Sequence, residues 1–281
     1  MFYHAKNGSV TLENTEMDYI SFGNGKEVLI MLPGLGDGLT TVKGMALPIA
    51  LEYRAYTGRK KTTHSHGISP CDKFTVFVFS RKNTIPEGYM TRDMAADQAK
   101  AMELLGISHA NIMGISQGGM IAQYLAIDHP GLVKKLVLAV TCSKANEQVK
   151  SVVNNWIALA EQGNHKALMI DTAEHSYSEN YLKKYRLFYP FIESIGKPKS
   201  FRRFLIQANS CILHNAESEL DKIVCPTLIL GGNEDHIVGG HSSLELSDRI
   251  KGSELFIYPG LGHAAYEEAK DFSARVLDFL S

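Results

Sequence analysis

The sequence has few cysteines, a single tryptophan and no long hydrophobic run. Its four cysteines, Cys71, Cys142, Cys211 and Cys225, are far apart and form no C-x-x-C pair. This spacing favours free thiols in a reducing cytoplasm over a disulfide framework. No segment reaches the roughly 18 apolar residues that a membrane-spanning helix needs. We therefore expect a cytoplasmic protein that does not insert into a membrane.

An excess of charge of one sign is also lacking. The chain has 29 Lys and Arg residues against 30 Asp and Glu residues, a formal net charge of −1. This balance gives no electrostatic reason to expect a nucleic acid or an anionic membrane as partner. The N-terminal residues lack the basic-then-apolar pattern of a signal peptide, so none is expected. His64 and His66 have no further ligands nearby, which predicts a polar loop rather than a metal site.

Six short apolar runs, each closed by a turn signal, are typical of buried parallel strands. None alternates cleanly with polar residues, as expected of strands that helices cover on both faces. The runs span residues 28–32, 74–79, 111–115, 135–140, 227–230 and 255–258. Residues 3–22 predict one or two antiparallel strands before them, and helical patterns cover residues 92–105, 117–127 and 264–280. The alternation predicts an α/β domain with a mainly parallel sheet.

Residues 143–220 break this alternation, because their pattern is helical throughout. The segment is too long for an ordinary crossover and too apolar for a linker. We therefore expect a helical insertion here, with residues 1–142 and 221–281 forming the core domain. Besides Trp156 it carries a dense set of aromatic residues, most of which we expect to pack within the insertion. They are Tyr177, Tyr181, Tyr185, Phe188, Tyr189, Phe191, Phe201 and Phe204.

Residues 114–118 read Gly-Ile-Ser-Gln-Gly and match the pattern G-x-S-x-G. The pattern alone is weak, but here it ends an apolar run and begins an uncharged helix, which is the strand–turn–helix setting of a nucleophile elbow. Such a serine stands on a sharp, strained turn, and flanking glycines remove Cβ atoms that would clash there. Ser116 is therefore the predicted nucleophile.

A serine hydroxyl needs a base to take its proton, and that base needs an acid to fix its tautomer. Behind a nucleophile elbow the chain order is serine, then an acid, then histidine. Asp235, in a turn after a predicted strand, is the predicted acid, with Glu234 and Asp221 as alternatives. His263 follows the last predicted strand at the edge where open α/β sheets bind ligands, so it is the predicted base. His236 is interpreted as a loop residue.

The segment Pro33-Gly34-Leu35-Gly36 leaves an early strand through a glycine-rich turn. A backbone N–H group in such a turn can join that of the residue after the nucleophile to hold an oxyanion. We predict an oxyanion hole formed by Leu35 and Gln117, with Gly34 as the fallback for Leu35.

Together these residues resemble the α/β-hydrolase superfamily, particularly its capped branch of esterases, carbon–carbon hydrolases and proline iminopeptidase-like enzymes. The resemblance covers nearly the whole chain. It rests on PGLG at 33–36, the segment 93–106, GISQGG at 114–119, GGNED at 231–235 and GLGH at 260–263. By this likeness, residues 143–220 are a helical cap placed after the sixth strand. The sequence departs where relatives carry Asp-x-Arg-Gly-x-Gly-x-Ser, since FSRKNT at 79–84 keeps only the arginine, and where they carry His-Gly in place of Pro33-Gly34.

The resemblance and the triad imply a serine hydrolase that acts on a small or medium carboxylic ester through an acyl-enzyme on Ser116. Neither a metal nor an organic cofactor is implied, the partner is a small-molecule substrate, and a homodimer is left open. Aminopeptidase and C–C bond hydrolase activity are alternatives on the same triad. An aminopeptidase would need an acidic cluster, for which Glu174, Glu179 and Glu193 are candidates. A ligand-binding protein on a hydrolase scaffold is the alternative that is not an enzyme.

Overall fold

The computed structural model describes residues 5–44, 46, 49, 56, 73–194 and 196–281. The predicted polar loop at His64 and His66 lies outside these residues, and so does Cys71. Cys142, Cys211 and Cys225 are free thiols, as predicted. Within the described ranges no helix is long and apolar enough to cross a bilayer.

Eight strands form one sheet in the order β1-β2-β4-β3-β5-β6-β7-β8. The strands are β1 Lys6–Leu12, β2 Thr15–Gly23, β3 Glu27–Leu32, β4 Phe74–Lys82, β5 Ala110–Ile115, β6 Val133–Ala139, β7 Thr227–Gly232 and β8 Glu254–Tyr258. β1 and β2 pair antiparallel, β2 is antiparallel to β4, and every pairing from β4 to β8 is parallel. The predicted α/β architecture with a mainly parallel sheet is confirmed.

The described part of the chain contains nine α-helices. They are α1 Thr91–Leu104, α2 Gln117–Asp128, α3 Glu147–Glu161, α4 His165–Ser176, α5 Glu179–Tyr185, α6 Arg202–Ile212, α7 Ser242–Arg249, α8 Ala265–Glu268 and α9 Phe272–Leu280. A 3-10 helix, Leu35–Gly38, follows β3. The single helical pattern predicted over 264–280 is thus two helices, because Ala269 is extended and Phe272 then turns into the core.

Successive residues of the central strands are buried on opposite faces of the sheet. Ile30 and Leu32 of β3 join the core that packs against α1 and α2. Leu29 and Met31 join the core on the other face, which includes α9. Both faces are therefore apolar, which is why these strands show no alternation with polar residues.

Several strand bounds differ from the prediction by one to three residues, and the ends of β4 and β6 differ for a structural reason. β4 continues to Lys82, three residues past Phe79, and the added residues include Ser80 and Arg81, both fully buried. In a sequence a polar residue is typical of a strand end, but here distant segments supply hydrogen-bond partners. The Val42 N–H donates to the Ser80 hydroxyl, and Arg81 Nη2 donates to the Pro33 carbonyl and to Gln117 Oε1. β6 stops at Ala139, one residue early, because Val140 has a positive φ of 46° and leaves the sheet.

The segment predicted as an insertion carries α3 to α6 between β6 and β7. Its only strand-like contact among the described residues is a single bridge between Lys144 and Asn215, so the helical prediction is confirmed. Trp156 and Phe204 are buried in a separate apolar cluster, as expected. Three tyrosines of the same segment also pack on one another, outside that cluster, with ring centroids 4.7–5.2 Å apart. They are Tyr177, Tyr181 and Tyr185.

His214, just after α6, predicts a pH-dependent stability. Its ring is buried, lies 3.0 Å from the Thr91 hydroxyl and meets the Tyr124 ring edge-on. Burial lowers its pKa from 6.5 to about 3. Between these pH values the unfolded chain binds a proton that the folded chain does not, so stability falls as the pH drops below 6.5.

We expect His214 to account for about 2 kcal/mol of the stability lost between pH 7.5 and 5.0. Urea unfolding of the wild type and of His214→Gln, followed across this range, isolates the contribution. The wild type should lose stability more steeply than the variant. Parallel curves would contradict the assignment to His214.

Candidate active site

Ser116 lies at the junction of β5 and α2, in a sharp turn. Its backbone adopts φ 54° and ψ −119°, a left-handed conformation that costs free energy in a residue other than glycine. Neighbouring groups hold it there. The Ser116 N–H donates to the Ala139 carbonyl at 2.9 Å, and the Thr141 hydroxyl donates to the Ser116 carbonyl at 2.8 Å. The strand–turn–helix predicted around this serine is therefore present.

Gly114 and Gly118 permit the close contact between strand and helix at this turn. A Cβ on Gly114 would lie 2.4 Å from the Gly118 carbonyl oxygen, and one on Gly118 would lie 1.9 Å from that of Leu32. Both distances are far inside van der Waals contact with backbone atoms that cannot move freely. The two glycines of the motif are thus required by space as well as by sequence pattern.

The structure brings the three predicted triad residues together. His263 Nε2 lies 2.9 Å from Ser116 Oγ, and His263 Nδ1 lies 2.8 Å from Asp235 Oδ2. An ionised carboxylate only accepts hydrogen bonds, so Nδ1 carries the proton and Nε2 is free to accept that of the serine. The hydroxyl is therefore hydrogen-bonded to a base that is itself oriented by an acid.

Asp235 is held as a buried carboxylate. Its other oxygen accepts hydrogen bonds from the backbone N–H groups of Ile237 and Val238 at 2.8 and 2.9 Å. Burial raises the pKa of Asp235, but the charge and hydrogen bond of His263 and the two N–H groups lower it more. The net pKa lies below its ordinary value, so the group is ionised at neutral pH.

The alternative acids lie elsewhere. Glu234 and Asp221 are exposed, and His236 is an exposed loop residue as interpreted from the sequence.

The loop of His263 is held by backbone hydrogen bonds from two directions. The Glu234 N–H donates to the Leu261 carbonyl at 3.0 Å, which joins the turn after β7 to this loop. The Ala264 N–H donates to the Ser176 carbonyl at the end of α4 at 2.8 Å. The insertion thus contacts the histidine loop directly.

Two helices begin next to Ser116. Leu35 begins the 3-10 helix after β3, and Gln117 begins α2. The first N–H groups of a helix have no partner within it, so those of Leu35 and Gln117 are available to a ligand. A Cβ on Gly34 would lie 3.3 Å from the Cβ of Ser116, so the turn passes next to the serine. The oxyanion hole formed by Leu35 and Gln117 stays a prediction.

A cavity of about 360 Å³ opens onto Ser116 and His263. It lies between the carboxyl edge of the sheet and the insertion. Its walls are mostly apolar and come from both parts of the chain. The main apolar residues are Leu35, Val42, Ile49, Val78, Ile115, Trp156, Ile237 and Tyr266.

The acidic cluster considered for an aminopeptidase does not line this cavity. Glu174 and Glu179 both pair with Arg186, each at 2.7 Å, beside a separate surface pocket. The hydrogen bonds from Arg186 lower the pKa of both carboxyls. The side chain of Glu193 lies outside the described residues.

Within the described chain no group of three or more His, Cys, Asp or Glu residues could hold a metal ion. The expectation of a site without metal or cofactor stays a prediction.

Sequence reasoning missed a buried polar network behind the Leu35 turn. Asp37 is 4% exposed and pairs with Arg203 at 2.6 Å, and the buried Arg81 donates to the Pro33 carbonyl at 2.7 Å. The available signal was Arg81 itself, a charged residue two positions after the predicted apolar run 74–79. Its partners are distant in sequence, so the pattern alone could not identify them.

Comparisons with known proteins agree with this architecture. Serine hydrolase BPHL of Mus musculus is 26% identical over 274 residues, covering 96% of this chain and 85% of that protein. RutD of Caulobacter sp. (strain K31), a protein named for carbamate hydrolysis, is 26% identical over 218 residues, covering 74% and 81%. The crystal structure of MGS-M2, an α/β hydrolase from a deep-sea metagenome library, superposes with a TM-score of 0.78 at 23% identity, covering 97% of each chain.

The family model for the alpha/beta hydrolase fold matches residues 63–270, which is most of the chain. The described part of that range carries five of the six parallel strands, β4 to β8, together with the nucleophile elbow and the loops of Asp235 and His263. The fold predicted from the motifs is confirmed. The chain therefore belongs to the α/β-hydrolase family.

Proposed function

We propose that this protein is a serine hydrolase that cleaves a small or medium carboxylic ester through an acyl-enzyme on Ser116. One observation carries the proposal. Ser116 Oγ, His263 and Asp235 form an unbroken hydrogen-bonded chain, with distances of 2.9 and 2.8 Å, at the wall of an apolar cavity. The family match supports hydrolase activity in general.

The reaction has two steps. Ser116 Oγ attacks the ester carbonyl while His263 Nε2 takes its proton, and the Asp235 carboxylate stabilises the imidazolium. The N–H groups of Leu35 and Gln117 hold the oxyanion of the tetrahedral intermediate. His263 then gives the proton to the departing alcohol, which leaves the acyl group on Ser116. A water deprotonated by His263 attacks that acyl group and releases the carboxylic acid.

The cavity favours a compact apolar acyl group. Its volume, about 360 Å³, is at the small end of the usual range for ligand pockets. Trp156, Thr172 and Ser176 of the insertion form part of its wall. We therefore infer that residues 143–220 act as a cap on the core of residues 1–142 and 221–281. Arg186 forms ion pairs with both Glu174 and Glu179, so these carboxylates are not free to bind the amine of a peptide. This favours an ester over a peptide as substrate.

A substrate panel tests the bond type. The purified protein is offered matched butyryl substrates: a p-nitrophenyl ester, an anilide, a carbamate analogue and a β-diketone. We expect the ester to have the highest kcat/KM and to give a burst of p-nitrophenol near one per active site, which reports an acyl-enzyme. Preference for the diketone would favour C–C hydrolysis, and binding without turnover would favour the ligand-binding alternative.

Trp156 is expected to limit acyl chain length. Its ring forms part of the cavity wall, and its indole N–H donates to Asp171 at 2.7 Å, which fixes its orientation. Trp156→Leu enlarges the cavity, and we expect the ratio of kcat/KM for octanoate over butyrate esters to rise about tenfold.

Trp156→Phe is the matched control, since it loses the indole N–H but keeps a ring in the wall. It should change the ratio much less than Trp156→Leu. Equal ratios in all three proteins would mean that this wall does not contact the acyl chain.

A further inference from the structure

One face of α6 is turned toward the 3-10 helix that begins at Leu35. Gln207 is four residues after Arg203, three after Phe204 and three before Ser210, so these residues share a face of the helix. All but Arg203 are buried. A Cβ on Gly38, at the end of the 3-10 helix, would lie 2.9 Å from the Cα of Phe204. The insertion therefore packs directly against this turn.

The guanidinium of Arg203 joins the turn to the end of β4. Its Nε donates to the Asp37 carbonyl at 3.1 Å, and its Nη2 donates to Asp37 Oδ2 at 2.6 Å. Nη2 also donates to the Arg81 carbonyl at 3.0 Å, and Nη1 donates to that of Lys82. All three nitrogens of the planar, rigid guanidinium thus donate hydrogen bonds. The Asp37 side chain is 1% exposed and that of Arg203 is 15% exposed, so water screens this charge pair only weakly.

The second predicted oxyanion donor belongs to the same network. Arg81 Nη2 donates to the Pro33 carbonyl at 2.7 Å and to Gln117 Oε1 at 2.8 Å. The Gln117 side-chain amide in turn donates to the Gln207 carbonyl on α6 at 2.9 Å. The Arg81 N–H donates to Asp37 Oδ2 at 3.1 Å. Hydrogen bonds therefore connect both donor segments to each other and to α6.

We propose that Arg203 is a positioning residue, which from α6 holds the backbone N–H of Leu35 in place beside that of Gln117. This inference rests on the proposed function. Oxyanion donors act only at about 2.7–3.1 Å from the developing charge, and a displacement of about 1 Å can cost about 100-fold in rate. The oxyanion exists only in the transition state and its neighbours, so the effect falls on kcat more than on KM.

Arg203→Gln is expected to lower kcat for the butyrate ester by about 10- to 100-fold, with KM changed by less than about threefold. Arg203→Lys should recover only part of the loss, because one ammonium cannot replace the fork. The matched control is Arg202→Gln on the same helix. Arg202 is exposed and pairs with Glu87 at the surface, so the control should keep kcat within about twofold.

A transition-state analogue separates positioning from a general structural effect. A trifluoromethyl ketone forms a hemiketal oxyanion on Ser116, so its affinity should fall in parallel with kcat in Arg203→Gln. Affinity for the butyrate product, measured by competitive inhibition, should stay near the wild-type value. Equal losses of affinity for both ligands, or an unchanged kcat in folded Arg203→Gln, would overturn the inference.

Gln117→Met provides a second test if Arg203→Gln does not fold, as judged by its thermal transition. It keeps the backbone N–H but removes the side-chain bonds to Arg81 and Gln207. The same selective loss of kcat is expected, and an unchanged kcat would overturn the inference. A wild-type protein that hydrolyses no ester and forms no adduct on Ser116 would overturn the proposed function and this inference with it. An active wild type with unaffected variants would overturn this inference alone.

Discussion

Replacing Ser116 by alanine is expected to lower kcat for a p-nitrophenyl ester by about 10⁴- to 10⁶-fold. The hydroxyl oxygen of Ser116 is the atom that forms the acyl-enzyme, and it lies 2.9 Å from His263 Nε2, which takes its proton. The remaining rate would come from the oxyanion donors and from binding alone. Stopped-flow and long-time assays together cover this range, and the burst of p-nitrophenol should vanish completely.

Ser176→Ala is the matched control for this result. Ser176 is a second serine in the same cavity, but its hydroxyl donates to the Thr172 carbonyl instead of to a base. Removing the Ser176 hydroxyl should change kcat by less than about tenfold, because this hydroxyl only lines the cavity and takes no part in the reaction. A Ser116→Ala protein that kept a burst would show that another residue carries the acyl group.

Replacing Asp235 by asparagine should cost about 10⁴-fold in kcat. The amide keeps the shape of the carboxylate, but its NH₂ group cannot accept the Nδ1 proton of His263. The ring then adopts the other tautomer, with Nε2 protonated and unable to take the proton of Ser116. The low pKa of Asp235 means that the wild-type acid stays ionised as the pH falls through the mildly acidic range.

The neighbouring Glu234→Gln variant separates this effect from a change in net charge. Glu234 is exposed, and its backbone N–H donates to the Leu261 carbonyl of the His263 loop, a bond that Glu234→Gln keeps. It should retain kcat within about twofold, because exposed charges are screened by water and salt. Losses of similar size in both variants would contradict the role assigned to Asp235.

Much of the fold could be predicted because the central strands are buried on both faces. A run such as 28–32 is apolar throughout, so its strand is evident without knowledge of its neighbours. The candidate triad could be predicted for a related reason. Ser116, Asp235 and His263 each follow a strand in a parallel sheet, and the carboxyl ends of parallel strands meet at one edge. Residues that follow strands far apart in the sequence are therefore expected to lie close together at that edge.

Features that depend on distant partners could not be predicted. Arg81 is fully buried only because Pro33 and Gln117 supply acceptors from other segments. Asp37 is stabilised by Arg203, which lies 166 residues away. The break between α8 and α9 likewise depends on a distant contact, because Phe272 is buried in the core on one face of the sheet. The local sequence pattern carries no information on such contacts. The residues around Arg81 and Asp37 are typical of an exposed loop, and those around Phe272 are typical of a continuous helix.

The central claim is that Ser116 is an activated nucleophile, and a fluorophosphonate probe tests it most directly. The pure protein is labelled, digested and examined by peptide mass spectrometry, beside Ser116→Ala and heat-denatured samples. A single adduct on Ser116 that is absent from both controls is the expected result. A well-folded protein that forms no adduct, or one labelled at another residue, would contradict the account.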